Sequence, residues 1–179
     1  MAPGTIWTVG HSTRTLEEFL LLLGVHSIGH VADVRSFPGS RRYPHFGSEA
    51  LAAALTERGI GYSWHRALGG RRKPSPDSPN TGWRHSAFRA YADHVASGEF
   101  EEGLAELLSI AASAKTAFMC SEAVWWRCHR RIIADVLVSR GIAVRHIIDE
   151  KPAGLHVLAP PAHLLDGRLS YTPIGPLGI

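Results

Sequence analysis

The sequence predicts an α/β fold: a single three-layer domain in which a mostly parallel sheet of about five strands carries helices on both faces. Three observations predict it. Short apolar runs alternate along the chain with segments of helical period, the order that a parallel sheet with crossover helices requires. At 179 residues the chain suits one domain with a full core, and its 45% hydrophobic and 20% charged residues are those of a soluble globular protein. No linker or internal repeat divides residues 1–179, and only 152–179, rich in proline, reads as an irregular C-terminal wrap.

Taken in order, Thr5–Gly10 (TIWTVG) reads as the first strand and ends in Gly10-His11-Ser12-Thr13. Ser12 or Thr13 is placed to cap a helix over Leu16–Leu23, with Glu17 and Glu18 at its positive end and Gly24 as its stop. Ser27–Val34 is the second strand; period 2 at its end puts Asp33 and Arg35 on one face and Val34 on the other. Ser36–Gly47 (SFPGSRRYPHFG) is a loop by its prolines and glycines, anchored by Phe37, Tyr43 and Phe46, with Arg41, Arg42 and His45 left near the crevice. Ser48 caps a helix over Glu49–Arg58, Gly59 stops it, and Ile60–Trp64 is the third strand.

Arg66–Trp83 then runs without periodic structure, a length usual for functional or disordered segments, and its GGRRK stretch suits phosphate. Phe88–Val95 and Phe100–Ala111 read as two helices separated by Ser97-Gly98. Thr116–Met119 is the fourth strand. From Trp125 apolar residues recur at helical spacing through Leu137 until Gly141, and Ile142–Ile148 is the fifth strand.

No apolar run is long enough to span a bilayer, and MAPGTIWTVGHS has neither the basic region nor the apolar core of a secretory signal. The two cysteines make no disulfide scaffold, so the expected location is cytoplasmic with both thiols reduced. The formal charge is only +3, yet arginines crowd the segments that read as loops, and arginine outnumbers lysine. Forked guanidinium groups suit phosphate or carboxylate, although GC-rich coding also yields arginine-rich chains. The expected partner is therefore an anionic small molecule or a nucleic acid, not a membrane; the sequence leaves the oligomeric state open.

Three strand ends carry polar groups: Gly10-His11-Ser12, Asp33-Val34-Arg35 and Cys120-Ser121-Glu122. In a parallel sheet these ends point the same way, where ligands bind in open α/β folds. Cys120 is the leading nucleophile candidate, its thiolate favoured by a following helix N-terminus and by nearby cations, against the alternative that it fills space. Glu122, His11 and Asp33 complete the catalytic candidates. His11 is either a general base or a satisfied polar group, and Asp33 either pairs structurally with Arg35 or serves as acid, base or orienter. Candidate binding residues are Ser12, Arg35, Arg41, Arg42, Tyr43, Arg71, Arg72, Arg127, His129 and Arg130. Cys128, four positions before Ile132, reads as core. Trp125 and Trp126 either stack on a base or pack in the core. A metal set would join Cys120, Cys128, His129 and His11, but a Cys-x7-Cys-His spacing matches no common zinc pattern, so no ligands are assigned. The sequence requires no cofactor; zinc or iron is what such a set would hold.

The segments TVGHSTR, VADVRSFPGSRRYPHF, LGGRRK, NTGWR, FRAYADHV, MCSEAVWWRCHRRIIADVL and DGRLSY together resemble the DUF488 family, in the family's order from about Thr8 to Tyr171. GHS, DVR and the CSE…CHR segment are the most specific. The resemblance implies a compact cytoplasmic α/β domain whose recurring polar motifs correspond to His11, Ser12, Asp33, Arg35, Arg41, Cys120, Glu122, Cys128, His129 and Arg130. It implies no reaction, beyond a DNA-repair label carried by some members. A fainter similarity links the Asp-Val-Arg strand end and the cysteine strand end to rhodanese and cysteine-phosphatase domains. Here position 126 is Trp, arginine follows at 127, and no glycine shapes the loop.

The leading expectation is an enzyme acting on a phosphate-bearing ligand, nucleotide or nucleic acid through a cysteine-containing site. The alternatives are a non-catalytic nucleic-acid-binding module and a thiol-based sulfurtransferase or redox sensor.

Overall fold

A computed structural model describes residues 4–39 and 41–173. Five strands form a parallel sheet: β1 (Thr5–Gly10), β2 (His30–Asp33), β3 (Gly61–Trp64), β4 (Thr116–Cys120) and β5 (Ala143–Ile147). The two-residue β6 (Gly154–Leu155) adds an antiparallel edge, giving the order β3-β2-β4-β1-β5-β6. The helices are α1 (Leu16–Val25), α2 (Ser48–Glu57), α3 (Ser86–Val95), α4 (Gly98–Ala111) and α5 (Arg130–Ser139).

The layers follow from the direction in which the chain travels. Crossovers between parallel strands keep one hand, so reversing the direction of travel moves the helix to the other face. The passages β1 to β2 and β2 to β3 run toward one edge, and α1 and α2 pack together on one face with Val9, Val31, Ala117 and Met119. From β3 the chain turns back to β4 and then passes to β5, and α3, α4 and α5 cover the opposite face with Ile6, Ala32 and Phe118. Of these, the larger side chains Val9, Val31, Met119, Ile6 and Phe118 each contribute roughly 1.5–3 kcal/mol from burial. β4 therefore lies between two strands whose following helices are on the other face from its own. That is a topological switch point, and a crevice opens beyond the strand ends there.

Several boundaries differ from the sequence reading, each for a physical reason. The cap of α1 is Thr15, not Ser12 or Thr13: its hydroxyl accepts from the Glu18 amide while the Glu18 carboxylate accepts from the Thr15 amide. Ser12 instead takes a left-handed φ of 53° in the turn after β1. The helix expected from Trp125 begins only at Arg130. Trp125–Arg127 is a single 3-10 turn, because the Trp125 ring lies flat on His146 at 4.0 Å and cannot join α5. The expected wrap holds β6 and a small antiparallel hairpin of β7 (His163–Leu165) and β8 (Arg168–Ser170); its end, 174–179, lies outside the described residues. Among the described residues no helix is long and apolar enough to cross a membrane.

Candidate functional site

Sheet register assembles the site. Gly10 pairs with Cys120 and Asp33 with Met119, so β1, β2 and β4 end level with one another. Their ends open into a cleft of about 880 Å³. It is lined by His11 and Ser12 after β1, Arg35 after β2, Cys120 at the end of β4, Glu122 just beyond it, and Arg127, Cys128 and His129 before α5. The turn after β1 packs tightly under the segment after β4. A β-carbon on Gly10 would stand 1.9 Å from the Glu122 carbonyl oxygen, which only glycine avoids.

Cys120, Cys128 and His129 form the floor. His129 Nε2 lies 2.9 Å from the Val34 carbonyl oxygen. A carbonyl only accepts, so in the neutral ring Nε2 carries the proton and Nδ1 keeps its lone pair. Nδ1 faces two sulfurs, at 3.5 Å from Cys128 Sγ and 4.0 Å from Cys120 Sγ. Tyr91 flanks the ring at 5.0 Å, and a β-carbon on Gly70 would stand 2.4 Å from Nδ1, so the loop after β3 can close on the imidazole only through a glycine.

The two thiols are unlike. Cys128 is lowered to about 6, chiefly by the hydrogen bond it accepts from Cys120 and, against the penalty of burial, by the charge of Arg130. Cys120 is pushed up to about 12 by that same hydrogen bond and by burial. The sequence placed the activated thiol at Cys120 on the expectation of a helix immediately beyond it. Cys120 instead ends a strand, and the amides of the α5 N-terminus lie at Cys128, whose carbonyl accepts from the Arg131 amide. Cys128 is buried as expected of a core residue, yet it precedes the helix and its sulfur faces His129.

Arg35 is held from behind. Asp33 is fully buried and accepts from Arg35 Nε at 2.9 Å, from Arg35 Nη2, and from the Tyr62 hydroxyl at 2.8 Å. The carboxylate thus faces Arg35 rather than the cleft and acts as its orienter. Arg35 Nη1 is left 3.4 Å from His11 Nε2. His11 Nδ1 donates to the Ser12 carbonyl at 2.9 Å, so Nε2 is the accepting nitrogen. Burial, partly offset by the Ser12 hydrogen bond, lowers His11 to about 4 and keeps it neutral at pH 7.

The rim is cationic and aromatic. Arg42, Tyr43, Arg71 and Arg127 line it with Phe37 and Trp126, which are 65% and 46% exposed. Phe37 does not anchor its loop as expected; Arg71 stands over its outer face at 5.5 Å. Three expected binding residues lie elsewhere. Arg41 is exposed and outside the cleft lining. Arg72 is bound to Glu99 at 2.9 Å and to the Ala67 and Gly69 carbonyls. Arg130 is buried behind the floor, where it donates to the Glu122 carbonyl and to Thr8 Oγ1 at 3.1 Å.

Behind Arg130 runs a chain of buried hydrogen bonds. Thr8 Oγ1 lies 3.0 Å from His146 Nδ1, His146 Nε2 is 2.9 Å from His156 Nδ1, and His156 Nε2 is 2.8 Å from Asp135 Oδ1. The Tyr171 hydroxyl donates to Asp135 Oδ2 at 2.9 Å. Arginine only donates and a carboxylate only accepts, so at the two ends of the chain Arg130 donates to Thr8 and His156 donates from Nε2 to Asp135.

Sequence reasoning missed Gly70 and the floor position of Cys128. The adjacent Cys128-His129 pair just before the Arg130 helix was the available signal, since a helix start and a strand end meet wherever a parallel strand feeds its crossover.

The architecture and the cleft define a class: a three-layer α/β domain with a thiol and imidazole floor at the switch point of its sheet. The chain belongs to the DUF488 family, whose model, described as a domain of unknown function, matches residues 15–137. Neither a curated protein nor a solved structure matches the chain, so the fainter similarity to rhodanese and cysteine-phosphatase domains stands on its motif alone.

Proposed function

We propose that the protein is an enzyme that binds a phosphate-bearing ligand, a nucleotide or a nucleic-acid strand, at the rim of the cleft and acts on it at the Cys120–Cys128–His129 floor. One observation carries this reading: a rim of Arg42, Arg71 and Arg127 with exposed Phe37 and Trp126 stands over buried thiols at the sheet's switch point. Guanidinium groups hold phosphate oxygens in forked contacts, and open aromatic faces stack on bases, so the rim matches both halves of a nucleotide. Arg35, fixed by Asp33, is placed to meet the part of the ligand that reaches the floor.

The test is equilibrium binding of nucleotides and of a short single strand to the parent and to Arg71→Ala/Arg127→Ala. The double variant should bind at least tenfold more weakly with a reduced salt dependence. Equal binding by both proteins, or none by either, overturns the reading. Strong, salt-sensitive strand binding without turnover would assign the protein to the non-catalytic nucleic-acid-binding modules instead.

A second reading, a thiol sensor or sulfur carrier, is favoured by two free thiols whose sulfurs lie within 4.8 Å of each other at the cleft floor. It requires rapid alkylation of one cysteine at neutral pH, and an inert pair would remove it.

A further inference from the structure

The floor joins the end of β4 to the adjacent Cys128-His129 pair before α5, and the ligand atoms Cys120 Sγ, Cys128 Sγ and His129 Nδ1 all lie within 4.8 Å of one another. We propose that these atoms form a binding site for a thiophilic divalent metal, zinc by preference, with its fourth position open to the cleft. The inference rests on the proposed enzymatic use of this cleft and names the ion that would serve it.

Geometry is the first argument. Tetrahedral zinc with ordinary Zn–S and Zn–N lengths sets sulfur and nitrogen about 3.6 Å apart and two sulfurs about 3.8 Å apart. Cys128 and His129 already stand at 3.5 Å, and Cys120 is 4.0 Å from the same nitrogen. The third side, between the two sulfurs, is at most 4.8 Å, so closing the triangle takes movements of about 1 Å or less, within the reach of side-chain rotation.

The surroundings of the ligands give the second. A metal-bound histidine usually donates its other ring nitrogen to a carbonyl or carboxylate, which fixes the tautomer and aims the lone pair. His129 does so through Nε2 to Val34, leaving Nδ1 as the free nitrogen between two sulfurs. Its ring is fixed on both sides, by Tyr91 and by the backbone at Gly70. Cys120 is carried by β4, with its carbonyl accepting from the His11 amide, and Cys128 is bonded through its own amide to Trp125. Three rigidly presented soft donors are a preformed site.

Charge is the third. Two thiolates balance a divalent cation, and beyond them lies the buried guanidinium of Arg130, which no carboxylate pairs with among the described residues. Thiolate with imidazole selects zinc among the abundant divalent ions, while magnesium and calcium require oxygen donors. Two cysteines and one histidine with an open position is the donor set of a catalytic rather than a structural zinc. An ion bound there would acidify a water in the fourth position, below a ligand held by the rim. The irregular spacing in sequence does not argue against it, because here a strand end and a helix start, not a tight knuckle, set the distance.

The experiment is metal analysis of the full chain purified from zinc-supplemented cultures without chelator, beside Cys120→Ser, Cys128→Ser, His129→Ala and Gly70→Ala. The parent should carry about one zinc per chain, and each ligand variant should lose affinity at least tenfold. Gly70→Ala keeps all three ligands but pushes on the ring, and should weaken binding as well. If a ligand variant fails to fold, cobalt titration of the reduced parent decides: a thiolate-to-cobalt charge-transfer band saturating at one equivalent supports the site. A metal-free reduced parent that develops no such band overturns it. So does metal retained in both cysteine variants, or a Cys120–Cys128 disulfide found in protein trapped at lysis. Nucleotide binding by Cys128→Ser separates the two proposals: a variant that has lost zinc but still binds nucleotide leaves the rim reading intact, and Arg71→Ala/Arg127→Ala should lose nucleotide while keeping zinc.

Discussion

The floor and the rim of the cleft are adjacent but built by opposite means. Floor groups sit on regular elements or directly against them and are tied on every side: Arg35 to Asp33, His129 to Val34, the turn at His11 to Cys120. Rim arginines stand on loops, and the contacts seen for Arg42 and Arg71 are with aromatic rings rather than carboxylates. Folding therefore fixes the floor, while the rim keeps side-chain freedom to adapt to what it binds. Substitutions at the floor should be read mainly in stability, and substitutions at the rim mainly in affinity.

The strongest way to break this contrast is Asp33→Ala. It leaves the buried Arg35 guanidinium without its counter-charge and should cost about 3–5 kcal/mol in urea unfolding. A loss below about 1 kcal/mol would mean that the floor is not tied as described. Gly10→Ala comes next. Its β-carbon meets the Glu122 carbonyl oxygen at 1.9 Å, backbone against backbone, and overpacking of this kind costs about 1–3 kcal/mol. The same unfolding curves check it.

Acid should weaken the buried side before the exposed one. Burial, with the charges of His156 and Arg130, lowers His146 from 6.5 to about 3. Between those values the unfolded chain binds a proton that the folded chain refuses, so stability is full above about pH 6.5 and falls as pH drops toward 3. His94, His30 and His65, also lowered by burial, act in the same sense. Thermal melts should show a loss of about 2 kcal/mol from His146 alone between about pH 7 and pH 5. His146→Gln should flatten that part of the profile. The smallest stability effect is expected at the rim: Arg42→Ala or Arg127→Ala should change unfolding by about 0.5 kcal/mol or less while weakening nucleotide binding about twofold to tenfold. A rim variant that unfolds the protein would erase the distinction.

Much of this architecture is legible in the sequence because buried parallel strands read as mainly apolar runs, as Thr116–Cys120 does and as Ala143–Ile147 does around its Arg145 and His146. The convergence of His11, Arg35 and Cys120 follows from strand direction alone. Residues 121–129 were not legible. Their apolar spacing is helical, but the stacking of Trp125 on His146 comes from a distant strand and overrides it. The function of a cation is equally hidden: Arg71 and Arg72 are neighbours in one loop, yet one lines the cleft and the other is bound to Glu99. β6, β7 and β8 are two or three residues long, too short for any period to register.

The chain of donors that begins at Arg130 has an implication for how the protein is made. Its terminal members, His156 and Tyr171, are supplied late in synthesis, and among the described residues they are the side chains that bond the two oxygens of Asp135. A nascent chain can lay down all five parallel strands and still lack the brace that locks the guanidinium behind Cys128. Premature termination between positions 148 and 155 should thus yield a sheet of ordinary appearance around an unset pocket, a product that cellular quality control would meet as nearly native and inert.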